Sequence, residues 1–163
     1  MAKLELKLKV GDAAPDFLAT TQNGEEISLK QFRGRMVVLY FYPKDNTPGC
    51  TAEACSFRDN WAAVQALGAV VLGVSTDSVK THGNFARKFE LPFPLVADPD
   101  RQVVNAYGVY AEKSFMGRLS LGTHRVTFLI GPDGRIRRLW PKVSVKGHVE
   151  DVLAAIRGEQ GAG

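Results

Sequence analysis

The thiols of this chain are concentrated in one short stretch. The segment FYPKDNTPGCTAEAC, residues 41–55, holds both cysteines, Cys50 and Cys55, of a 163-residue sequence. Pro48 suits the first position of a helix, where its missing N–H costs nothing, and Thr47 before it is a good N-cap. That places Cys50 in the first helical turn. There, unpaired backbone N–H groups and the positive end of the helix dipole favour a thiolate over a thiol. Gly49 has no side chain to keep a small substrate from the sulfur, and Pro43 stiffens the loop ahead of the turn. On the loop alone two readings stand: a reactive, anionic sulfur, or a small buried hydrophobe behind ordinary loop punctuation, the commoner fate of a free cysteine.

Cys55 bears on that choice. With a rise of ~1.5 Å and ~100° per residue, the two Cα atoms of one intact helix lie about 8.6 Å apart on differing faces. A disulfide spans less than ~7 Å. The sulfurs can therefore join only if the first helical turns unwind, which suits a catalytic cycle better than a staple. A thioredoxin-type dithiol, with two residues between its cysteines, fits less well. Metal binding fits less still, because His82, His124 and His148 are scattered and two cysteines are too few to hold zinc. Neither a metal nor another cofactor is expected.

Making a free cysteine of pKa ~8.5 fully anionic at neutral pH gains about 30-fold, or roughly 2 kcal/mol. Lowered nucleophilicity takes part of that back. Fast cleavage of an O–O bond needs more, namely donors that hold both oxygens and stabilise the departing one. The Thr47 hydroxyl and the N–H groups of Gly49 and Cys50 are candidates, and an arginine from elsewhere would complete the charge. Arg125 is the residue offered. It opens an apolar segment expected to be a central strand, where it shares a face with Thr127 and Leu129. Pattern alone equally describes a strand-end arginine reaching solvent. Glu53 is placed to bond Arg125 or the helix start, though a surface carboxylate is the simpler reading. Tyr42 either lines the pocket or belongs to the core.

The elements that must position these residues are legible as hydrophobic patterns. Segments 36–42, 69–75 and 125–130 are short apolar runs rich in β-branched residues, expected as buried, parallel-type strands at the centre of one sheet. Helical periodicity joins Ala54, Phe57, Trp61 and Val64, and again Phe85 and Phe89. A short strand at 94–97, a turn at DPD and a helical stretch over 101–107 follow. GPDGRI is a turn leading into a strand at 136–140, and Val149, Val152, Leu153 and Ile156 form a last amphipathic helix. Upstream, Asn23-Gly24 is a hairpin signal, and SLKQFRG makes one helical turn ended by Gly34. A single α/β domain over 1–163 is expected, with 158–163 as a loose tail.

Hydrophobic residues at 45%, charged residues at 23% and a formal net charge of +4 describe an ordinary water-soluble domain. The basic group Arg135, Arg137 and Arg138 is read as a solvated strand edge rather than a nucleic-acid surface. The start, MAKLELKLKVG, alternates Leu with Lys or Glu and lacks the apolar run of a signal peptide, and no segment approaches the ~20 apolar residues of a membrane span. A cytoplasmic location is the expectation.

YPKDNTPGCTAEAC closely resembles the active-site loop of the peroxiredoxins, in the bacterioferritin comigratory protein or peroxiredoxin Q subfamily. The resemblance continues through VGDAAPDF, LGVSTDS, FPLVADPD, AEKSFMG and THRVTFLIGPDG, and ends near Arg157. It implies a thioredoxin-like fold with a central mixed sheet flanked by helices and an N-terminal hairpin extension. It further implies reduction of hydrogen peroxide and organic hydroperoxides through a sulfenic acid. Pro43, Thr47, Cys50 and Arg125 match the family's catalytic set, and Cys55 matches a resolving cysteine on the same helix. Thioredoxin or a similar dithiol is the implied reductant, and a monomer or weak homodimer the implied state. Tyr110 and Ala111 depart from the common pattern, at positions that bear on peroxide preference and docking. Two other readings are kept: a thioredoxin-like protein disulfide reductase, and a copper carrier using the two cysteines and a histidine.

Overall fold

The computed structural model describes residues 4–161, and its centre is a seven-stranded sheet. The three apolar runs form it: β3 (Val37–Phe41), β4 (Val70–Ser75) and β8 (Val126–Ile130), every residue of which is buried. β5 (Leu95–Ala97) extends the sheet beyond β4, and the hairpin β1 (Leu18–Thr21) and β2 (Glu26–Ser28) adds the edge, in the order β2-β1-β5-β4-β3-β8-β9. β9 (Ile136–Trp140) closes the other edge after the GPDGRI turn. The pairs β3·β4 and β4·β5 are parallel, but β8 runs antiparallel to β3. The expectation of a parallel β8 is thus corrected. Its continuous apolar run arises because both sheet faces are covered, and burial does not encode direction.

Alternation along the strands divides the interior into two layers. Val38, Tyr40, Tyr42 and Leu129 face one cluster with α1 (Pro48–Asp59), α2 (Trp61–Ala66), α3 (Val79–Phe89) and α5 (His148–Gly161). Val37, Leu39, Phe41, Val126, Phe128 and Ile130 face the other, with α4 (Gln102–Ala106) and Tyr107. Leu4, Leu6 and Leu8 pack against this second cluster, which gives the alternation at the start of the chain a structural meaning.

The sequence periodicity that ran from Ala54 to Val64 covers two helices. The break falls at Asn60, whose side-chain amide donates to Ser56 O at 2.8 Å while its backbone N–H reaches the same carbonyl at 3.2 Å. An asparagine that bonds the last turn in this way competes with helix continuation. The turn over SLKQFRG is a 3₁₀ turn at Lys30–Phe32, followed by Gly34 at φ +93°. Residues 158–161, expected in a loose tail, are the last turn of α5, with Gln160 Nε2 donating to Leu67 O at 2.7 Å. Residues 162 and 163 lie outside the described residues.

One element had no counterpart in the sequence reading. β6 (Tyr110–Phe115) and β7 (Arg118–Thr123) pair antiparallel as a separate hairpin, turning through Met116 and Gly117, both at positive φ. β7 does alternate, with Leu119 and Leu121 between polar neighbours, but β6 does not, and the leucines of β7 stand exposed rather than packed on a core. Met116, Leu119 and Leu121 stand in solvent.

Candidate active site

Helix α1 starts as the proline rule requires. Thr47 has the extended backbone of an N-cap and Pro48 begins the helix, so Cys50 lies in its first turn. The expected cap bond is absent, however. Thr47 Oγ1 donates instead to Lys44 O at 2.9 Å, across the loop before the helix. This corrects the reading of Thr47 as a side-chain cap: its backbone is in place, but its hydroxyl is turned upstream. Pro43 is half-buried in the bend that begins this loop.

Cys50 is buried, and Cys55 is partly exposed further along the same helix; both are free thiols. The sulfur at position 50 is not sealed among hydrocarbons. Arg125 Nη2 donates to Cys50 Sγ at 3.3 Å, and Arg125 Nη1 donates to Glu53 Oε1 at 2.7 Å. The guanidinium therefore bridges the sulfur and a carboxylate one turn on. Arg125 sits directly before β8 rather than within it, but keeps the face predicted for it, with Thr127 and Leu129. The alternative of a strand-end arginine reaching solvent is set aside, since its side chain is 19% exposed and doubly paired.

Glu53 is a clear correction. It is 1% exposed, not a surface carboxylate. Burial pushes its pKa up to about 7, against the pull of Arg125, which favours the ionised form. Arg125 shows the balance from the other side. Burial works against its charge, yet Glu53 and the Cys50 sulfur outweigh it and hold its pKa above the ordinary value. Glu53 thus stands behind the arginine rather than at the front of the site. Its second oxygen, Oε2, and the hydroxyl of Tyr40 are the buried polar side-chain atoms without a hydrogen-bond partner among the described residues.

Gly49 has a purpose that was not expected. A Cβ at this position would lie 3.1 Å from Arg125 Nη2, so the missing side chain makes room for the arginine. Tyr42 belongs to the core: it is 1% exposed, and its hydroxyl donates to Asp45 Oδ1 at 2.5 Å. It does not line the site.

Sequence reasoning missed Lys113 on β6. Its Nζ donates to Thr123 O at 3.0 Å, two residues before Arg125, and its stem lies over Gly122, where a Cβ would come within 3.0 Å of Lys113 Cδ. Burial and the nearby Arg125 charge lower its pKa, while the Cys50 sulfur opposes them. It is a second cation at the same end of the sheet. The AEKSFMG match held the residue, but the hairpin that delivers it was not foreseen.

The histidines do not gather around the sulfur. His82 bonds Asp45, His148 bonds Thr127 Oγ1 at 2.9 Å, and His124 Nε2 bonds Glu112 O at 2.9 Å. The basis for a copper carrier using both cysteines and His124 is therefore lacking. The set Asp45, Asp77 and His82 is compact enough to suggest cation ligands, but these groups bond one another.

A cysteine in the first turn of a helix is thus bonded by a carboxylate-backed arginine that stands directly before an antiparallel strand, and the chain as a whole has relatives among known proteins. The AhpC/TSA family model matches residues 10–139. The chain belongs to the AhpC/TSA family. As a peroxiredoxin it is a thiol peroxidase. The bcp peroxiredoxin of Coxiella burnetii is 48% identical over 151 residues, covering 93% of this chain and all of the relative. Peroxiredoxin Bcp of Escherichia coli K12 is 45% identical, covering 90% and 94%. Among solved structures, the bacterioferritin comigratory protein of Xanthomonas campestris superposes with a TM-score of 0.86 at 40% identity, over 95% of this chain and 99% of that one. These structures have the thioredoxin-like fold expected of this peroxiredoxin.

Proposed function

We propose that Cys50 is the residue oxidised by hydroperoxide and Cys55 the one that resolves it. The contact of Arg125 Nη2 with Cys50 Sγ at 3.3 Å, with Glu53 holding the other end of the guanidinium, carries this reading. The Cys50 thiolate attacks the terminal peroxide oxygen, forming an S–O bond as the O–O bond breaks. Sulfur gives up two electrons, the departing oxygen leaves as hydroxide or alkoxide, and a proton completes water or alcohol. Arg125 is placed to favour both the starting thiolate and the charge that appears on the departing oxygen. The Thr47 hydroxyl, already donating to Lys44 O, accepts from the peroxide O–H and so orients it. Pro43 shapes the loop ahead of the sulfur.

The sulfenic acid then condenses with the Cys55 thiol, releasing water and forming a disulfide. Both cysteines stand on α1. At ideal helical spacing their Cα atoms are too far apart to bridge, so α1 must unwind for this step. A dithiol reductant of the thioredoxin kind returns two electrons and two protons. The relative from Xanthomonas campestris is described by its alkyl peroxide reduction activity, and organic hydroperoxides are proposed as substrates here beside hydrogen peroxide. A cytoplasmic enzyme, monomeric or weakly dimeric, completes the proposal. Among the described residues no helix is long and apolar enough to cross a membrane.

The test is thioredoxin-coupled NADPH oxidation with hydrogen peroxide and a bulky alkyl hydroperoxide. Cys50→Ser is expected to abolish turnover, and Cys55→Ser to accumulate one equivalent of sulfenic acid without recycling through a disulfide. Normal turnover by Cys50→Ser would sink the assignment. Turnover of protein disulfides without peroxide would favour the disulfide-reductase alternative.

A further inference from the structure

The loop that carries Pro43 and Thr47 is tied down by side chains that take no part in the sulfur chemistry. Asp45 is 4% exposed although it stands in a connecting loop. Its carboxylate accepts from Tyr42 Oη at 2.5 Å and pairs with His82 Nδ1 at 2.6 Å, where both side chains are wholly buried. The other ring nitrogen, His82 Nε2, lies 2.9 Å from Val96 O on β5. A carbonyl only accepts, so Nε2 carries a hydrogen, and the imidazole is fixed at both ends. The Asp45 backbone N–H donates to Asp77 Oδ2 at 2.8 Å, and that same oxygen accepts from Ser75 Oγ at 2.6 Å at the end of β4. Asn46 takes the left-handed conformation, φ +64°, and receives Lys88 Nζ at 3.3 Å from α3.

Burying a carboxylate and an imidazole in an apolar layer is costly unless each polar atom finds a partner. Here all of them do: Tyr42 stands one residue past β3, His82 lies on α3 and Val96 on β5, while Asp77, held by Ser75 at the end of β4, takes the Asp45 N–H. None of these partners comes from α1. The network therefore holds one side of the Cys50 turn to the sheet independently of the helix on the other side.

We propose that Tyr42, Asp45 and His82 form a positioning unit that keeps loop 43–47 in place while α1 unwinds to bring Cys55 to Cys50. Unwinding is then bounded on the N-terminal side at Thr47, and the loop stays ready to receive the next peroxide once the helix re-forms. This rests on the Cys50–Cys55 cycle proposed above. Asp45 and His82 act through the loop and touch neither sulfur nor substrate.

Hydrogen exchange on the full chain, reduced and peroxide-oxidised, tests it. Peptides spanning 40–47 are expected to keep their protection in both states, and those spanning 50–59 to lose it on oxidation. Loss of protection in 40–47 together with 50–59 overturns the proposal while leaving the cycle standing. Absence of a Cys50–Cys55 disulfide in the oxidised wild type, checked by mass, fails the cycle and the proposal with it. Single-turnover kinetics of Asp45→Asn and His82→Gln give the second measurement. Oxidation of Cys50 is expected to slow at least tenfold, with no slowing of the later disulfide-forming step, a split that general destabilisation does not produce. Equal slowing of both steps, or of neither, refutes the positioning role. Should the variants fail to fold, exchange in the wild type still decides.

Discussion

Helices α1 and α3 follow successive strands of the sheet, and each begins behind a hydroxyl residue, yet they treat their first turns differently. Ser78 caps α3 in the ordinary way, its Oγ accepting from Thr81 N at 3.2 Å. Thr47 stands at the same point of α1 but turns its hydroxyl to Lys44 O, so it satisfies none of the donors at the helix start. A capped end stabilises a helix; an uncapped one keeps its positive end available to an anion. Charge burial follows the same division. On α1, Arg125 and Glu53 are brought beside a sulfur, with Glu53 Oε2 lacking a protein partner. On α3, His82 is fully bonded between Asp45 and Val96. The difference teaches which helix is a support and which is the working part.

The contrast is broken most severely through Arg125. Arg125→Met is expected to lower kcat/KM for peroxide by about 10²–10³, the scale of losing a charged donor at a developing anion. The Asp45→Asn and His82→Gln variants, which act only through the loop, are expected to lose less than this. Loss under tenfold, measured by peroxide-dependent NADPH oxidation, would separate Arg125 from the chemistry.

Glu53 sharpens the comparison through pH. Its folded pKa of about 7 lies above its ordinary 4.5, so the folded state binds the proton more tightly than the unfolded chain. The stability it adds is complete below pH 4.5 and is lost as pH rises towards 7. His148 has the opposite sign: burial lowers its pKa from 6.5 to about 4, so its contribution is present above 6.5 and is lost as pH falls towards 4. The two slopes oppose one another between pH 4.5 and 6.5. Glu53→Gln removes the falling slope, leaving a stability that rises with pH across that window, by an amount on the order of 1–3 kcal/mol. Urea denaturation at half-unit steps of pH gives the reading, and an unchanged profile would contradict a buried, proton-holding Glu53.

The smallest effect is the most direct comparison of the two caps. Ser78→Ala is expected to cost about 1 kcal/mol of stability with turnover unchanged. Thr47→Val is expected to leave stability nearly unchanged but to slow peroxide reduction by about tenfold, the scale of one lost hydrogen bond. Denaturation midpoints beside initial rates distinguish them, and identical behaviour of the two variants would erase the distinction.

Strand and helix positions were legible where burial imposes a period. Runs such as Val37–Phe41 announce themselves because both faces of the sheet are covered, and the face shared by Arg125, Thr127 and Leu129 followed from alternation alone. Cys50 was legible because proline and a helix start are local features. Features set by distant partners were not. Burial of Glu53 depends on Arg125, 72 residues away, and nothing near Glu53 in the chain distinguishes it from a solvated carboxylate. The pairing of His82 with Asp45, 37 residues away, was invisible for the same reason. The β6·β7 ribbon escaped because its exposure gives little contrast between its two faces. Thr47 was assigned to the right position but the wrong bond, since a hydroxyl at an N-cap can turn either way and only the Lys44 carbonyl decides it.

The break at Asn60 acts as a firebreak. Because Asn60 seals the last turn of α1 against Ser56 O, and α2 restarts with Trp61, melting of the twelve-residue first helix has a natural stopping point before the packing of α2 is disturbed. Neither helix supplies a strand to the sheet, so such an excursion spends helical bonds and side-chain contacts while leaving every rung of the ladder intact. In the proposed Cys50–Cys55 cycle, a short, sacrificial segment beside a rigid frame would let the molecule come partly undone many times without being unmade.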